Sequence, residues 1–91
     1  MSFQLGRVVW TRYVNDCVAE NTQFAKFVTD SLARHCTGDW GEITESDKVE
    51  NDFSLDKHLR LFSVYKKDKF VIWVITEADR SVTTILFPSE Y

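Results

Sequence analysis

The sequence predicts an α+β domain in which an N-terminal strand and helices pack on a C-terminal antiparallel β-meander. An apolar repeat of about 3.6 residues in the first half of the chain predicts a helix, and three β-favouring runs separated by short turns fill the second half. Strands joined by short connections pair antiparallel, and helices covering one face of such a sheet form two layers. At 91 residues the chain is expected to be a single domain, 1–91.

The N-terminal half is predicted to hold a strand and a long helix. Residues 3–11 favour an extended strand or arm, interrupted by Gly6. A shorter helical piece around residues 17–19 comes next, and Asn21 or Thr22 is the expected cap of the long helix. The apolar face of that helix comprises Phe24, Phe27, Val28, Ser31, Leu32 and His35.

A further helix is predicted beyond the two glycines that end the long one. Gly38 and Gly41 bracket a tight loop. Thr44 is the expected N-cap of the next helix, with acidic residues in its first turn, where the helix dipole favours them. We expect this helix to run to about residue 52, with Val49 and Phe53 as its inward-facing pair.

Three strands are expected over residues 59–66, 70–75 and 82–87. The middle run is apolar on both faces, which is typical of a central strand. Turns are predicted at Lys67-Asp68 and over 78–81, and Pro88 ends the last strand. The apolar run 70–75 is far shorter than the ~20 residues of a membrane-spanning helix, so no membrane partner is expected.

Charge is segregated along the chain, although the net charge is only −3. Residues 39–56 carry seven acids against one base, and residues 57–69 carry five bases against one acid. The acidic block is either a solvated helix face or a surface for a basic partner, and the basic block either contacts phosphate or protects a sheet edge from aggregation. Because the chain has no basic surplus, direct binding to nucleic acid is not expected.

No catalytic, cofactor or metal motif occurs in the sequence. His35 belongs to the apolar helix face and is predicted to be a packed core histidine. A metal would need the carboxylates of Asp39, Glu42 and Asp47 at a spacing that matches no ion-binding loop, so neither a metal nor a cofactor is predicted. Two cysteines without a secretory signal predict reduced thiols and a cytoplasmic protein.

Two local features are candidates for recognition. In the predicted turn after the second C-terminal strand, Arg80 either forms a salt bridge with Glu77 and Asp79 or belongs to a recognition tip. Trp40, in the glycine-bracketed loop, either plugs the end of the core or anchors an interface.

Several segments occur in the order found in one family. These are Leu5-Gly6-Arg7-Val8-Val9, Arg34-His35, Gly38-Asp39-Trp40-Gly41-Glu42, Asp47, Asn51, residues 60–65 (RLFSVY) and residues 72–91 (IWVITEADRSVTTILFPSEY). The chain resembles a family of small bacterial proteins, most of them uncharacterised, that are carried by plasmids, integrative elements and phages. The resemblance brings no reaction with it and implies a role as accessory cargo of mobile DNA.

Three functions follow as hypotheses. The first is a non-enzymatic protein that binds a host or rival defence or nucleic-acid-processing protein with a basic surface, inhibition being one outcome. Its binding residues would be Asp39, Trp40, Glu42, Asp47, Glu50, Asp52, Glu77, Asp79 and Arg80. The second is a small homodimeric assembly protein that uses an exposed sheet edge. The third is a hydrolase similar to ribosome-dependent RNase toxins, with His35 or His58 as base, Arg80 on phosphate and Glu77 as partner.

Overall fold

The computed structural model describes residues 3–91. It consists of three helices and a four-stranded mixed sheet. The elements are β1 (Arg7–Trp10), α1 (Arg12–Glu20), α2 (Thr22–Cys36), α3 (Glu45–Lys57), β2 (Leu61–Lys67), β3 (Phe70–Thr76), β4 (Val82–Leu86) and a 3-10 turn (Pro88–Glu90). The predicted α+β class is confirmed.

The sheet order is β1-β4-β3-β2. Strands β2, β3 and β4 form the predicted antiparallel meander, with Val74 opposite both Ser63 and Ile85. Strand β1 pairs parallel to β4, which the sequence did not indicate. That pairing joins segments more than seventy residues apart, so no local turn signal could announce it.

Helices α1 and α2 cover one face of the sheet. Thr11 and Asn21 cap them, each accepting a hydrogen bond from a backbone N–H three residues on. The core that they close consists of Val14, Phe24, Phe27, Val28, Tyr65, Ile72, Val74 and Ile85. The predicted apolar face of α2 is therefore confirmed; of its six positions only Leu32 is merely half-buried.

Helix α3 departs from expectation in its length and its orientation. It begins at the predicted cap Thr44 but continues to Lys57, where His58 adopts a left-handed conformation. Val49 and Phe53 are 68% and 53% exposed, so the predicted inward pair was wrong. The buried positions of α3 are polar, Asn51 and Ser54, because this helix meets the edge of a strand instead of an apolar sheet face.

The outer edge of β2 is covered at Phe62 and Val64, two residues whose backbone N–H and C=O groups point away from the sheet. The side-chain amide of Asn51 donates to the carbonyl of Phe62 and accepts from its N–H. The loop before α3 pairs with Val64, whose N–H donates to the carbonyl of Trp40 and whose carbonyl accepts from Glu42 N. A side chain on Gly41 would collide with the Val64 carbonyl. Pairing with a second copy is thus blocked at these two residues of β2, whereas β1 forms the other edge of the sheet.

Candidate functional site

A cleft of about 660 Å³ lies where α3, the β3–β4 turn and the N-terminal segment meet. Its walls carry three carboxylates, from Asp52 and Asp56 of α3 and Asp79 of the turn. The remaining lining residues are Phe3, Gln4, Leu55, His58 and Arg80. We call this the acidic cleft. It brings together the acidic block and the β3–β4 turn, which the sequence presented as separate candidates.

Arg80 holds the walls of the acidic cleft together through backbone carbonyls. Its Nη1 donates to the carbonyls of Leu59, Glu77 and Ala78 at 2.7–3.2 Å, and its Nη2 donates to the carbonyl of Ser54 on α3 at 3.2 Å. Arg80 itself has a left-handed backbone, with φ of 62°. Burial lowers the pKa of the guanidinium, which remains charged at neutral pH.

The predicted salt bridge of Arg80 with its neighbours in the turn is replaced by other contacts. Asp79 accepts hydrogen bonds from the N–H and the hydroxyl of Ser81, and these bonds lower the pKa of its carboxyl. Glu77 lies 3.6 Å from Arg60, measured from Oε1 to Nε. The hydrogen bonds between Asp79 and Ser81 therefore stabilise the turn locally, and the side chain of Arg80 connects the turn to α3.

Trp40 is buried, with 3% of its surface exposed, and plugs the end of the core. Its indole N–H donates to Asp52 at 2.9 Å, and its ring packs against Phe3 and His35. The interpretation of Trp40 as an exposed interface anchor is therefore wrong. Its role in the site is indirect, since it orients the Asp52 carboxylate from below.

A directed chain of hydrogen bonds lies beneath the cleft. The Thr83 hydroxyl donates to the Leu5 carbonyl at 2.6 Å, so the Thr76 hydroxyl must donate to Thr83, at 2.7 Å. The Thr76 oxygen then accepts from Nε2–H of His35 at 2.9 Å, and Nδ1 of His35 accepts from the Ser63 hydroxyl at 2.6 Å. Each hydroxyl has a single proton, which sets the tautomer of His35.

The position of His35 decides its chemistry. It has no exposed surface, and burial lowers its pKa to about 4, with the charge of Arg80 acting in the same direction. The predicted core histidine is confirmed. Both ring nitrogens are engaged, so His35 is not placed to act as the base of a hydrolase, and Arg80 donates to carbonyls where that hypothesis placed phosphate.

The other predicted binding residues lie outside the acidic cleft. Asp39 forms a two-pronged ion pair with Arg34, at 2.7 and 3.1 Å, and this pairing lowers the pKa of its carboxyl. The carbonyl of Asp39 also accepts the Tyr65 hydroxyl, and burial raises the pKa of that phenol. The side chains of Glu42, Asp47 and Glu50 are exposed, and only Glu50 adjoins the apolar residues Val49 and Phe53.

Sequence reasoning missed the contribution of the N-terminal segment to the site. Phe3 is held by a hydrogen bond from its N–H to the carbonyl of Cys36, and its ring lies 5.8 Å from the Arg80 guanidinium. Nothing in a local pattern indicates such a contact. Asp56 and His58 belong to charged runs that the sequence did reveal, but their place in a cleft depends on the longer extent of α3.

The comparisons with known proteins give no further guide to this site. No protein-family model, curated protein or solved structure matches the chain. Within residues 3–91, no helix is long and apolar enough to cross a membrane. Over the same residues, no group of three or more histidine, cysteine, aspartate or glutamate side chains could hold a metal ion.

Proposed function

We propose that this chain is a non-enzymatic interaction module that binds a basic segment of a partner protein in the acidic cleft. The observation that carries the proposal is the convergence of Asp52, Asp56 and Asp79, from two distant stretches of sequence, on one cleft. Carboxylates that face the same recess attract a positively charged group and set the choice of partner and the rate of association.

The apolar part of the cleft favours a long basic side chain. Phe3 and Leu55 line the recess between the carboxylates. Lysine and arginine bury their methylene stems along apolar surface while the charged end reaches a carboxylate, and a cation over an aromatic ring gains further attraction. The cleft therefore suits a lysine or arginine that projects from a partner.

The single charge of Arg80 does not remove this preference, because the cleft carries three carboxylates. Its Nη1 and Nη2 donors are committed to the carbonyls of Ser54, Leu59, Glu77 and Ala78, so the guanidinium braces the cleft. Asp52 is likewise fixed by the Trp40 indole, while Asp56 is exposed. Groups held in place in advance lose little conformational entropy on binding, which supports recognition by a small domain.

The resemblance to proteins of plasmids, integrative elements and phages supplies the biological part of the proposal. We propose that the partner is a host or rival defence or nucleic-acid-processing protein whose basic surface is covered, and thereby inhibited, by this chain. Proteins that act on nucleic acid carry clustered basic surface, which is the complement of the acidic cleft.

The test is an affinity capture from nuclease-treated bacterial lysate, with matched charge variants. Asp52→Asn combined with Asp56→Lys reduces the negative charge of the cleft, and Asp16→Asn combined with Glu20→Lys makes the same charge change on exposed positions of α1. We expect the cleft variant to lose the stoichiometric partner and the α1 variant to retain it.

Two outcomes would contradict the proposal. Equal capture by the cleft variant and the wild type would remove the acidic cleft from recognition. In a parallel capture without nuclease treatment, recovery of nucleic acid alone, or of ribosomes, would favour the hydrolase hypothesis. Circular dichroism of both variants checks that the fold is intact.

A further inference from the structure

Two apolar surfaces, one a protruding ridge and the other a pocket, lie on either side of the point where α3 meets β2. The first, which we call the outer ridge, is the exposed pair Val49 and Phe53 on the solvent side of α3. They are one helical turn apart and so form one continuous apolar strip. Exposed apolar side chains grouped in this way mark interaction surfaces more often than those scattered singly.

The second surface is a pocket of about 290 Å³ on the sheet face opposite α1 and α2. We call it the sheet pocket; it is lined by Arg60, Phe62, Trp73, Ile75 and Tyr91. Its rings are arranged around Trp73, with centroids 5.0 Å from Phe62 and 5.3 Å from Tyr91. This volume is at the lower end of the range of ligand pockets, which begins at about 300 Å³, and it is large enough for one or two protein side chains.

The charges around the two surfaces are complementary. Glu50 lies in the same shallow groove as the outer ridge. Arg60 stands at the sheet pocket, about half exposed, with one N–H donated to the Tyr91 hydroxyl and a long ion pair to Glu77. A guanidinium has five N–H donors, so Arg60 retains donors for a further carboxylate.

We infer that two copies of this chain associate, each placing the outer ridge of α3 in the sheet pocket of the other, with Glu50 facing Arg60. The two surfaces are neighbours, because Asn51 on the inner side of α3 binds the backbone of Phe62, whose ring lines the sheet pocket. In the inferred arrangement a two-fold axis lies beside β2, so that each copy contributes one ridge and one pocket and the assembly closes as a dimer.

This dimer differs from one formed by strand pairing. The edge of β2 is occupied at Phe62 and Val64, so the contact must be made by side chains across helix and sheet face. The acidic cleft uses Asp52 and Asp56 of α3, whereas the outer ridge and its charge partner are Val49, Phe53 and Glu50, so the two surfaces share no residue of the helix. The inference is therefore independent of the proposed function.

The first test is sedimentation velocity of the full chain over a range of concentrations. We expect a monomer–dimer equilibrium in the wild type and a dissociation constant raised at least about tenfold in Phe53→Asp, which places a charge in an apolar contact. Tyr13→Asp, at an exposed aromatic residue of α1, is the matched control and should dimerise as the wild type does. A wild-type chain that stays monomeric at every concentration, or assemblies that grow beyond a dimer, would overturn the inference.

The second test is a charge exchange between the two surfaces. Glu50→Arg and Arg60→Glu should each weaken the dimer, because each sets like charges against each other, and the double variant should restore it. If the double variant is as weak as the single ones while all three remain folded by circular dichroism, Glu50 and Arg60 do not meet. A photo-crosslinking residue at position 53 should then label a peptide outside the sheet pocket, which would also refute the inferred contact.

Discussion

Helices α2 and α3 differ in what they offer to the sheet, although each contains apolar residues at helical spacing. Helix α2 places Phe24, Phe27 and Val28 in the core, where they are 5% exposed or less. Helix α3 turns Val49 and Phe53 to solvent and presents Asn51 to the sheet. The comparison teaches that an apolar pair one turn apart does not by itself reveal the buried side of a helix.

The physical reason lies in what each helix contacts. Helix α2 lies over a sheet face with apolar side chains, and burying apolar helix residues against them is favourable. Helix α3 lies along the outer edge of β2, where backbone N–H and C=O groups are unpaired and need hydrogen bonds. A side-chain amide can both donate and accept, so Asn51 pairs with both backbone groups of Phe62.

The same substitution in both helices tests the comparison most strongly. Phe24→Ala should reduce the free energy of unfolding by about 3–5 kcal/mol, because it leaves a cavity in the core. Phe53→Ala should change it by less than roughly 0.5 kcal/mol at concentrations where the chain is monomeric. Urea unfolding followed by circular dichroism measures both. A large loss in Phe53→Ala would mean that the outer ridge is buried in the native protein.

A second prediction concerns the covered edge of β2. Asn51→Ala should reduce the free energy of unfolding by about 1–3 kcal/mol, because the N–H and C=O of Phe62 lose their partner. Glu50→Ala, at the adjacent exposed position, is the control and should have little effect on the monomer. Thermal unfolding compares the two, and equal stability would show that water replaces the Asn51 contacts without cost.

The third prediction is a pH dependence of stability that originates in His35 of α2. His35 has a pKa of about 4 in the folded chain and about 6.5 when unfolded, so below pH 6.5 the unfolded state binds the additional proton. The free energy of unfolding should therefore fall as the pH drops from 7 towards 4, by about 2 kcal/mol between pH 7 and pH 5.

Urea unfolding at both pH values measures this effect, and His35→Gln is the variant that should remove it. Glutamine has both a donor and an acceptor for the Thr76 and Ser63 hydroxyls and does not titrate. If the variant keeps the same pH dependence as the wild type, another group is responsible. No dependence at all in the wild type would mean that His35 has the same pKa in the folded and unfolded chain.

Features that depend on residues close together in the sequence were predicted, and features that depend on distant residues were not. The cap at Thr44, the apolar face of α2 and the meander depend on neighbours in the chain or on short turns, and all were predicted. The cap of α2 was predicted as Asn21 or Thr22, and it is Asn21. The burial of Trp40 and the carbonyl contacts of Arg80 depend on residues up to 26 positions away, as in the bond from Arg80 to Ser54. Local rules leave such residues with several equally acceptable roles.

The candidate site shows the same division. The sequence by itself determined the charge of the acidic block, the location of the β3–β4 turn and the core position of His35, since composition, turn chemistry and helical period are local properties. Only the tertiary structure decided that Asp52, Asp56 and Asp79 share a cleft and that Val49 and Phe53 face outward. Both depend on where α3 docks, and that docking is set by hydrogen bonds to a strand edge that forms only when the sheet is complete.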